Sequence, residues 1–272
     1  MKKTIVFLSL IILLFSCKND DKKLEHNTTK KVELIVPEQI QLLINQSKKD
    51  ATNIDLQLKI SQAFDSIKQY KNALIYLDKV IATDSLNNDY WLRRGRICKN
   101  LPDTAAAIKA FTYAEKIYPT PITLQELANL LAETRNPITI NVCNKLIQMN
   151  PSGDYNAQAY FFMGVYFSKI NDKQKAVTLF DKSINQDFHF ADAYIEKGFI
   201  YFTNKEYKKA LQVYEQLNAV NPTNADGYYW QAKCNEILSN KIKAIQLYKK
   251  AIQLDGTITQ AIEALQRLET KN

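Results

Sequence analysis

The sequence predicts an all-α protein, a stack of helical hairpins with a further helix at each end. Glycine and proline are scarce, with 6 and 7 residues in a chain of 272, too few for the turns of an all-β fold. Hydrophobic residues make up 46% of the chain, enough for the long core of a folded protein. The strongest observation is a pattern of small and large residues that returns at a fixed interval, which indicates a repeat architecture.

The repeat has a period of 34 residues with one uneven step. Its marker is an alanine, which stands at Ala73, Ala107, Ala176, Ala210 and Ala244. A large apolar residue follows four positions after each alanine, and a glycine or alanine precedes the last four alanines by twelve positions. One unit shows the whole pattern, with Tyr194, Gly198, Tyr201, Ala210, Tyr214 and Pro222.

This pattern resembles that of the tetratricopeptide repeat family, over roughly residues 54–258. The resemblance implies a right-handed superhelical solenoid in which each unit contributes a helix A and an antiparallel helix B. Gly198 and its equivalents are expected where the two helices cross, because only small residues allow so close an approach. We predict about six units, at 54–87, 88–119, 121–153, 157–190, 191–224 and 225–258.

The third unit and the two ends of the stack depart from the repeat. In the third unit Thr139 stands at the alanine position, Pro137 interrupts the chain before it, and residues 152–156 are predicted to form an inserted loop. Helices at 37–47 and from Ile258 to Leu268 have one apolar face each, so we expect them to cap the stack. The solenoid with its caps is therefore predicted to span residues 37–270.

The N-terminal residues resemble the signal of a bacterial lipoprotein. Two lysines precede an apolar run from Ile5 to Phe15, and Cys17 follows at the end of the lipobox-like stretch LFSC. The resemblance implies removal of residues 1–16, attachment of lipid to Cys17, and a flexible tether over 17–36. A secretory signal with an incidental cysteine is the alternative.

The residues that follow Cys17 bear on location in the cell. Lys18 stands where many lipoproteins of the inner membrane have aspartate, which favours an outer-membrane address. Asp20 and Asp21 resemble, in short form, the surface-export signal of lipoproteins in the Bacteroidota. A periplasm-facing position and surface display both stay open.

The sequence holds no constellation of residues typical of an enzyme. The histidines, His26 and His189, have no catalytic partner nearby, and no phosphate-binding loop, zinc spacing or nucleophile motif is present. Cys98, Cys143 and Cys234 fall in three different repeats and are expected to be buried thiols. The formal charge of +8 is spread along helix faces, which favours a solvated surface over nucleic-acid binding. We predict no catalytic activity, cofactor or metal.

In tetratricopeptide repeat proteins helix A lines a concave groove, and the resemblance carries certain positions of the unit over as groove residues. In the last three units these form an apolar wall that we predict to bind a partner: Phe161, Val165, Ile195, Phe199, Phe202 and Tyr229. Arg96 and Lys99 are basic groove candidates for an acidic partner. The apolar residues could instead pack against the next helix A, and the basic stretch could be only a solvated face.

Two functions are consistent with these features. The first is a lipid-anchored scaffold that binds a peptide segment or a partner protein in its groove and supports assembly of a cell-envelope complex. The alternative is a surface-exposed lipoprotein that binds a glycan or nutrient or mediates adhesion. In both, the membrane is reached through the N-terminal lipid and nucleic acid is not a partner.

Overall fold

The structure is a computed structural model that describes residues 36–149 and 152–270, within which the chain forms fourteen helices and no strand. The helices are α1 (Glu38–Ser47), α2 (Ile54–Ser66), α3 (Tyr70–Thr83), α4 (Asn88–Asn100), α5 (Thr104–Ile117), α6 (Pro121–Glu133), α7 (Ile138–Gln148), α8 (Asn156–Lys169), α9 (Lys173–Gln186), α10 (Ala191–Thr203), α11 (Tyr207–Val220), α12 (Ala225–Ile237), α13 (Lys241–Leu254) and α14 (Thr259–Thr270). No helix in these ranges combines the length and apolarity needed to cross a membrane. The predicted signal, tether and lipid site at Cys17 lie outside the described residues and stay predictions.

Twelve of these helices form six antiparallel hairpins, from α2 with α3 to α12 with α13. Each hairpin coincides with one predicted unit to within one residue, so the even-numbered helices from α2 to α12 are the A helices and their successors are the B helices. The first helix, α1, packs against α2, and the last, α14, packs against α13. The all-α superhelical solenoid with a helix at each end is therefore confirmed.

The turn between helices A and B has the same backbone conformation in five of the units. Two residues after the A helix ends, the chain adopts a left-handed conformation, with φ between 59° and 66° at Lys68, Arg135, Asn171, Lys205 and Ser239. The next N–H then bonds to the carbonyl five residues back, as between Glu206 and Tyr201 at 2.9 Å. This closes the helix end and satisfies its free carbonyl groups, although no glycine is present to relieve the left-handed strain.

Glycine occupies the crossing of helices A and B as predicted. A Cβ atom at Gly198 would lie 2.5 Å from the Cε1 atom of Tyr214, whose ring is fully buried. Gly95 and Gly164 face phenylalanine rings of their own B helices in the same way. The aromatic side chain of helix B thus fills the space that the absent side chain of helix A leaves.

The third unit is irregular in the structure as well. Its B helix, α7, has 11 residues, whereas the B helix of the next unit has 14. Thr139 is fully buried at the alanine position, and its hydroxyl donates a 2.6 Å hydrogen bond to the carbonyl of Asn136. The following helix, α8, begins at Asn156, the last residue of the predicted loop and one residue before the predicted start of the fourth unit.

The packing of successive hairpins defines the concave side of the stack. From α6 to α12, each A helix contacts the next A helix, whereas successive B helices contact one another less. A stack with one tight layer and one open layer curves toward the tight layer. The A helices therefore line the concave side, which is where the predicted groove residues lie.

A candidate binding groove on the A helices

The two predicted groove residues of the fourth unit differ in burial. Val165 on α8 is only 6% exposed, so it belongs to the core and offers no surface to a partner. Phe161 is partly buried, and its ring lies 5.8 Å from that of Phe180 and 5.2 Å from that of Phe190. It packs against the cluster that contains Val165, so much of its ring contacts the protein itself.

Ile195 on α10 occupies an intermediate position. It is half-buried and packs against two core clusters, one containing Leu217 and the other containing Tyr214 and Cys234. It therefore supports the base of the groove more than it offers a free surface.

The other three predicted apolar residues meet at one place in the groove, around a tryptophan. Phe199 and Phe202 on α10 place their ring centroids 5.5 and 5.2 Å from that of Trp230 on α12. Tyr229, the residue before it, lies 5.4 Å away. We call Phe199, Phe202, Tyr229 and Trp230 the aromatic cluster. Phe199 is the most accessible residue of the cluster, with 43% of its surface exposed.

Trp230 was not among the predicted groove residues. It stands one position after Tyr229 in the unit, outside the positions that the family resemblance assigns to the groove. The sequence offered one indication of its role. No other unit of the chain has tryptophan at this position, and Trp230 is one of only two tryptophans in the sequence.

A lysine on α12 covers the aromatic cluster. The ammonium of Lys233 lies 5.3 Å from the ring centre of Trp230, 5.5 Å from that of Tyr229 and 5.8 Å from that of Phe202. Such contacts are attractive, by about 0.5–1 kcal/mol at exposed sites. Among the described residues no carboxylate forms an ion pair with Lys233. It does interact electrostatically with Glu236 on the same helix, and this interaction contributes to the lowered pKa of Glu236.

Tyr214 lies beneath the aromatic cluster. Its ring stacks on that of Trp230, with centroids 5.8 Å apart and planes inclined by 16°. The side chain is fully buried, and its hydroxyl has no hydrogen-bond partner within the described part of the chain. Burial raises the pKa of Tyr214, so the hydroxyl stays protonated at neutral pH.

A cavity of about 510 Å³ opens next to the aromatic cluster, between α12, α13 and α14. Its lining includes Tyr229, Lys233, Glu236, Tyr248, Ala264 and Arg267. Glu236 is held on both sides, by Arg267 at 2.5 Å and by the hydroxyl of Tyr248, which donates to it at 2.9 Å. The bond from Arg267 is the main cause of the lowered pKa of Glu236, which is therefore ionised at neutral pH.

The two predicted basic groove residues share one carboxylate. Arg96 and Lys99 on α4 form ion pairs with the two oxygens of Glu126 on α6, at 3.2 and 2.6 Å. The attraction of this part of the groove for an acidic partner is therefore reduced by an internal counter-charge.

The remaining reactive side chains form no site in the part of the chain that the structure describes. Cys98, Cys143 and Cys234 are free and buried, as expected, and burial raises the pKa of Cys143 and of Cys234 to about 12. His189 lies in an exposed turn against the ring of Phe188. No cluster of three or more metal-ligating side chains occurs among the described residues.

Residues 191–224 and 225–258 match the sequence model of the tetratricopeptide repeat. These two ranges are the fifth and sixth predicted units, and they carry the aromatic cluster. No curated protein sequence matches the chain.

Solved structures with the same architecture extend over most of the chain. A tetratricopeptide repeat protein from Parabacteroides merdae covers 85% of this chain and 91% of its own, with a TM-score of 0.62 and 15% identity. PilW, described as a type IV pilus biogenesis factor, covers 78% and 97%, with a TM-score of 0.61 and 16% identity. PilF of Pseudomonas aeruginosa covers 83% and 100%, with a TM-score of 0.56 and 13% identity.

Residues 191–258 thus match the tetratricopeptide repeat, and the solved structures show that the described chain has the same fold. The low sequence identity of the solved structures means that the likeness concerns the fold and not a particular partner.

Proposed function

We propose that the chain is a lipid-anchored scaffold without catalytic activity, which holds a peptide segment or a partner protein against its A helices in a cell-envelope complex. The observation that carries the binding role is the aromatic cluster, in which Phe199 is 43% exposed and packs against Trp230, while the ammonium of Lys233 lies over the Trp230 ring. Exposed aromatic residues beside a cation are typical of protein-binding surfaces.

The binding surface that we propose is smaller than the sequence suggests. Val165 belongs to the core and Phe161 packs largely against it, so the apolar surface is concentrated on α10 and α12. A small aromatic patch is consistent with recognition of a short segment, since large stable interfaces bury about 1,200–2,000 Å².

The location in the envelope is supported by the sequence of residues 1–21 alone. The lipobox-like stretch ending at Cys17 favours lipid attachment, and Lys18 favours the outer membrane. PilW, a protein of similar fold, is described as a type IV pilus biogenesis factor, which is compatible with an envelope role.

The binding role is tested by retention of partners from envelope extracts. Phe199→Ala removes the exposed ring, and Ile242→Ala is the matched control because Ile242 is 77% exposed on the B helix α13. Truncation of a central aromatic contact costs about 2 kcal/mol, close to 30-fold in affinity. We expect a partner that is retained by the Ile242 variant and lost from the Phe199 variant. Identical partners on both would contradict the proposal.

The anchor and the side of the membrane are tested separately. Replacement of Cys17 by serine is expected to release the protein from the membrane fraction, and retention there would contradict lipid attachment. Protease treatment of intact cells separates the scaffold facing the periplasm from the alternative, a surface receptor for glycan or nutrient, because only a displayed protein is lost.

A further inference from the structure

The turns between helices A and B are strongly basic in the last three units. They occupy residues 169–175, 203–209 and 237–243, which are equivalent at the repeat period of 34, and each carries a net charge of +2. We call these three turns the basic edge. Its lysines are Lys169, Lys173, Lys175, Lys205, Lys208, Lys209, Lys241 and Lys243. The same turn has no net positive charge in the second and third units, so the charge is a local feature of the stack.

The opposite edge of the same units has the opposite charge. Because the two helices of a hairpin are antiparallel, the turns that follow the B helices lie at the other end of each hairpin. These turns occupy residues 187–192, 221–226 and 255–260, and they contain four aspartates but no lysine or arginine. The last three units therefore present a basic edge on one side and an acidic edge on the other.

Contacts between neighbouring units make the basic edge continuous. The ammonium of Lys173 in the first turn donates a 2.6 Å hydrogen bond to the side-chain oxygen of Asn204 in the second. Lys243 in the third turn forms a 3.3 Å ion pair with Glu215 on α11, the B helix that follows the second turn. The lysines of the three turns therefore lie on one surface.

Much of the positive charge on the basic edge is open to a partner. Lys205 and Lys208 are exposed and form no ion pair among the described residues. Asp172 and Glu206 are the two carboxylates of the edge, and each pairs with the lysine three residues further along the chain. Such pairs at the surface are weak and leave the net charge of the edge unchanged.

Exposed isoleucine side chains lie among these lysines. Ile170, Ile237 and Ile242 are 43%, 46% and 77% exposed, and Ile242 stands directly between Lys241 and Lys243. A solvated surface gains nothing from such apolar groups. The combination is typical of proteins that bind at a membrane interface, where apolar side chains enter the headgroup region and ammonium groups meet lipid phosphates.

We propose that the basic edge binds the surface of a membrane that contains anionic phospholipid. The lysines lie against the phosphate groups, and the acidic edge faces away from them. This orientation brings the aromatic cluster close to the membrane, since the ring of Phe202 contacts that of Tyr207 in the second turn at 5.3 Å. The inference rests on the proposed function, because a lipid at Cys17 holds the protein at the membrane and a weak attraction of the edge then suffices to orient it.

The test measures sedimentation of the full-length protein with lipid vesicles. Cys17→Ser is present throughout, so that no attached lipid contributes. Vesicles of phosphatidylcholine alone are compared with an equimolar mixture of phosphatidylcholine and phosphatidylglycerol. Each lysine near an anionic surface strengthens binding about fivefold, so we expect the mixed vesicles to bind about tenfold more tightly or better. High salt is expected to abolish the preference. Equal binding to the two kinds of vesicle would overturn the proposal.

Two variants with the same change in charge show whether the preference arises at the basic edge. The edge variant changes one lysine of each turn: Lys175→Gln, Lys208→Gln and Lys243→Gln. The control variant changes three exposed lysines of the first two units: Lys59→Gln, Lys109→Gln and Lys116→Gln. We expect the edge variant to lose about tenfold or more in affinity for the mixed vesicles and the control to change by less than about twofold. Equal losses in the two variants would overturn the proposal.

A second copy of the chain is the alternative occupant, because its acidic edge also complements the lysines. Analytical ultracentrifugation of the same variants without vesicles detects such pairing. Self-association that the edge variant abolishes, together with vesicle binding that it leaves unchanged, would overturn the membrane proposal.

The outcomes are separate from those of the anchor and groove tests. In the Cys17→Ser test in cells, a high-salt wash of the membrane fraction removes protein that is held by the basic edge alone, so retention after the wash still counts against lipid attachment. Ile242, the control position of the groove test, faces lipid and not protein in this proposal, and that test is made on extracts. Identical partners for the Phe199 and Ile242 variants, together with vesicle binding that depends on the edge, would refute the groove proposal alone.

Discussion

Gly198 on α10 and Gly256 in the turn before α14 meet very different surroundings. In an exposed helix, replacement of glycine by alanine is stabilising by about 1 kcal/mol. At Gly198 the added methyl group would lie 2.5 Å from the ring of Tyr214, which has no free space to move into. At Gly256 the nearest atom, the carbonyl oxygen of Ile252, is 3.9 Å away.

We therefore predict that Gly198→Ala lowers the free energy of unfolding by about 1–3 kcal/mol, the usual cost of overpacking a core. Gly256→Ala is the control and is expected to change it by less than about 0.5 kcal/mol. Chemical denaturation followed by circular dichroism measures both. Equal stability of the two variants would show that the crossing tolerates a side chain.

Lys205 is one of the residues that adopt a left-handed backbone conformation at the turn between helices A and B. For a residue with a side chain this conformation costs about 1–2 kcal/mol, which glycine avoids. Glycine also loses more conformational entropy on folding, and this offsets part of the gain.

We predict that Lys205→Gly raises the free energy of unfolding by about 0.5–1 kcal/mol. Gln216→Gly, at an exposed position inside α11, is expected to lower it by about 1 kcal/mol, because the helix needs no left-handed residue there. Thermal unfolding of the two variants gives the signs of both effects. A loss of stability in both would contradict the assignment of strain to the turn.

Charged side chains on three neighbouring A helices, α6, α8 and α10, interact with one another. Glu133 on α6 forms a 2.6 Å ion pair with Lys169 on α8, and Glu196 on α10 lies close to both. Burial raises the pKa of Glu196, Glu133 and Asp192 raise it further, and Lys169 opposes the shift. The folded protein therefore binds the proton of Glu196 more tightly than the unfolded chain does.

The sign of the pH effect follows from this difference in proton binding. Stability falls as the pH rises from the ordinary pKa of glutamate through the raised pKa of the folded state, because ionisation is then easier in the unfolded chain. We predict that Glu196→Gln is more stable than the unaltered protein at pH 7 and that the difference shrinks as the pH falls toward 4. Denaturation curves at several pH values measure it.

The control for this prediction is Glu206→Gln, which removes a carboxylate paired with Lys209 at the surface. Such exposed pairs contribute about 0–1 kcal/mol, so no gain in stability is expected from it. A Glu196→Gln variant that is less stable than the unaltered protein at pH 7 would show that the charge of Glu196 is needed by Lys169.

The helices themselves could be predicted from periodicity, but the exposure of their side chains could not. A repeat of 34 residues fixes which residues share a face, and so Gly198 was correctly placed at the crossing. It does not fix how closely the next helix approaches, and for this reason the sequence did not show that Val165 is buried and Phe161 partly buried. Trp230 was missed because its role depends on the size of its side chain. The indole is long enough to extend from α12 to Phe199 and Phe202 on α10.

Over the whole molecule, the last two units combine the regular repeat with the least regular chemistry. They match the family model, and they also carry the aromatic cluster, with the ammonium of Lys233 over three of its rings. Trp230 stacks on Tyr214 between these two units, whereas at the equivalent position after the last unit Ala264 packs in one buried cluster with Tyr248. One side chain can therefore alter the surface of a solenoid without any change in its fold.

The central claim is that partners bind on the A-helix side of the stack, beside Phe199. The most direct measurement places a photo-crosslinking phenylalanine derivative at position 199 or at position 242 of the full-length protein in living cells. Phe199 lies in the aromatic cluster, whereas Ile242 is exposed on a B helix. We predict a discrete crosslinked product from position 199 and none from position 242. Products from position 242 alone, or the same products from both positions, would contradict the claim.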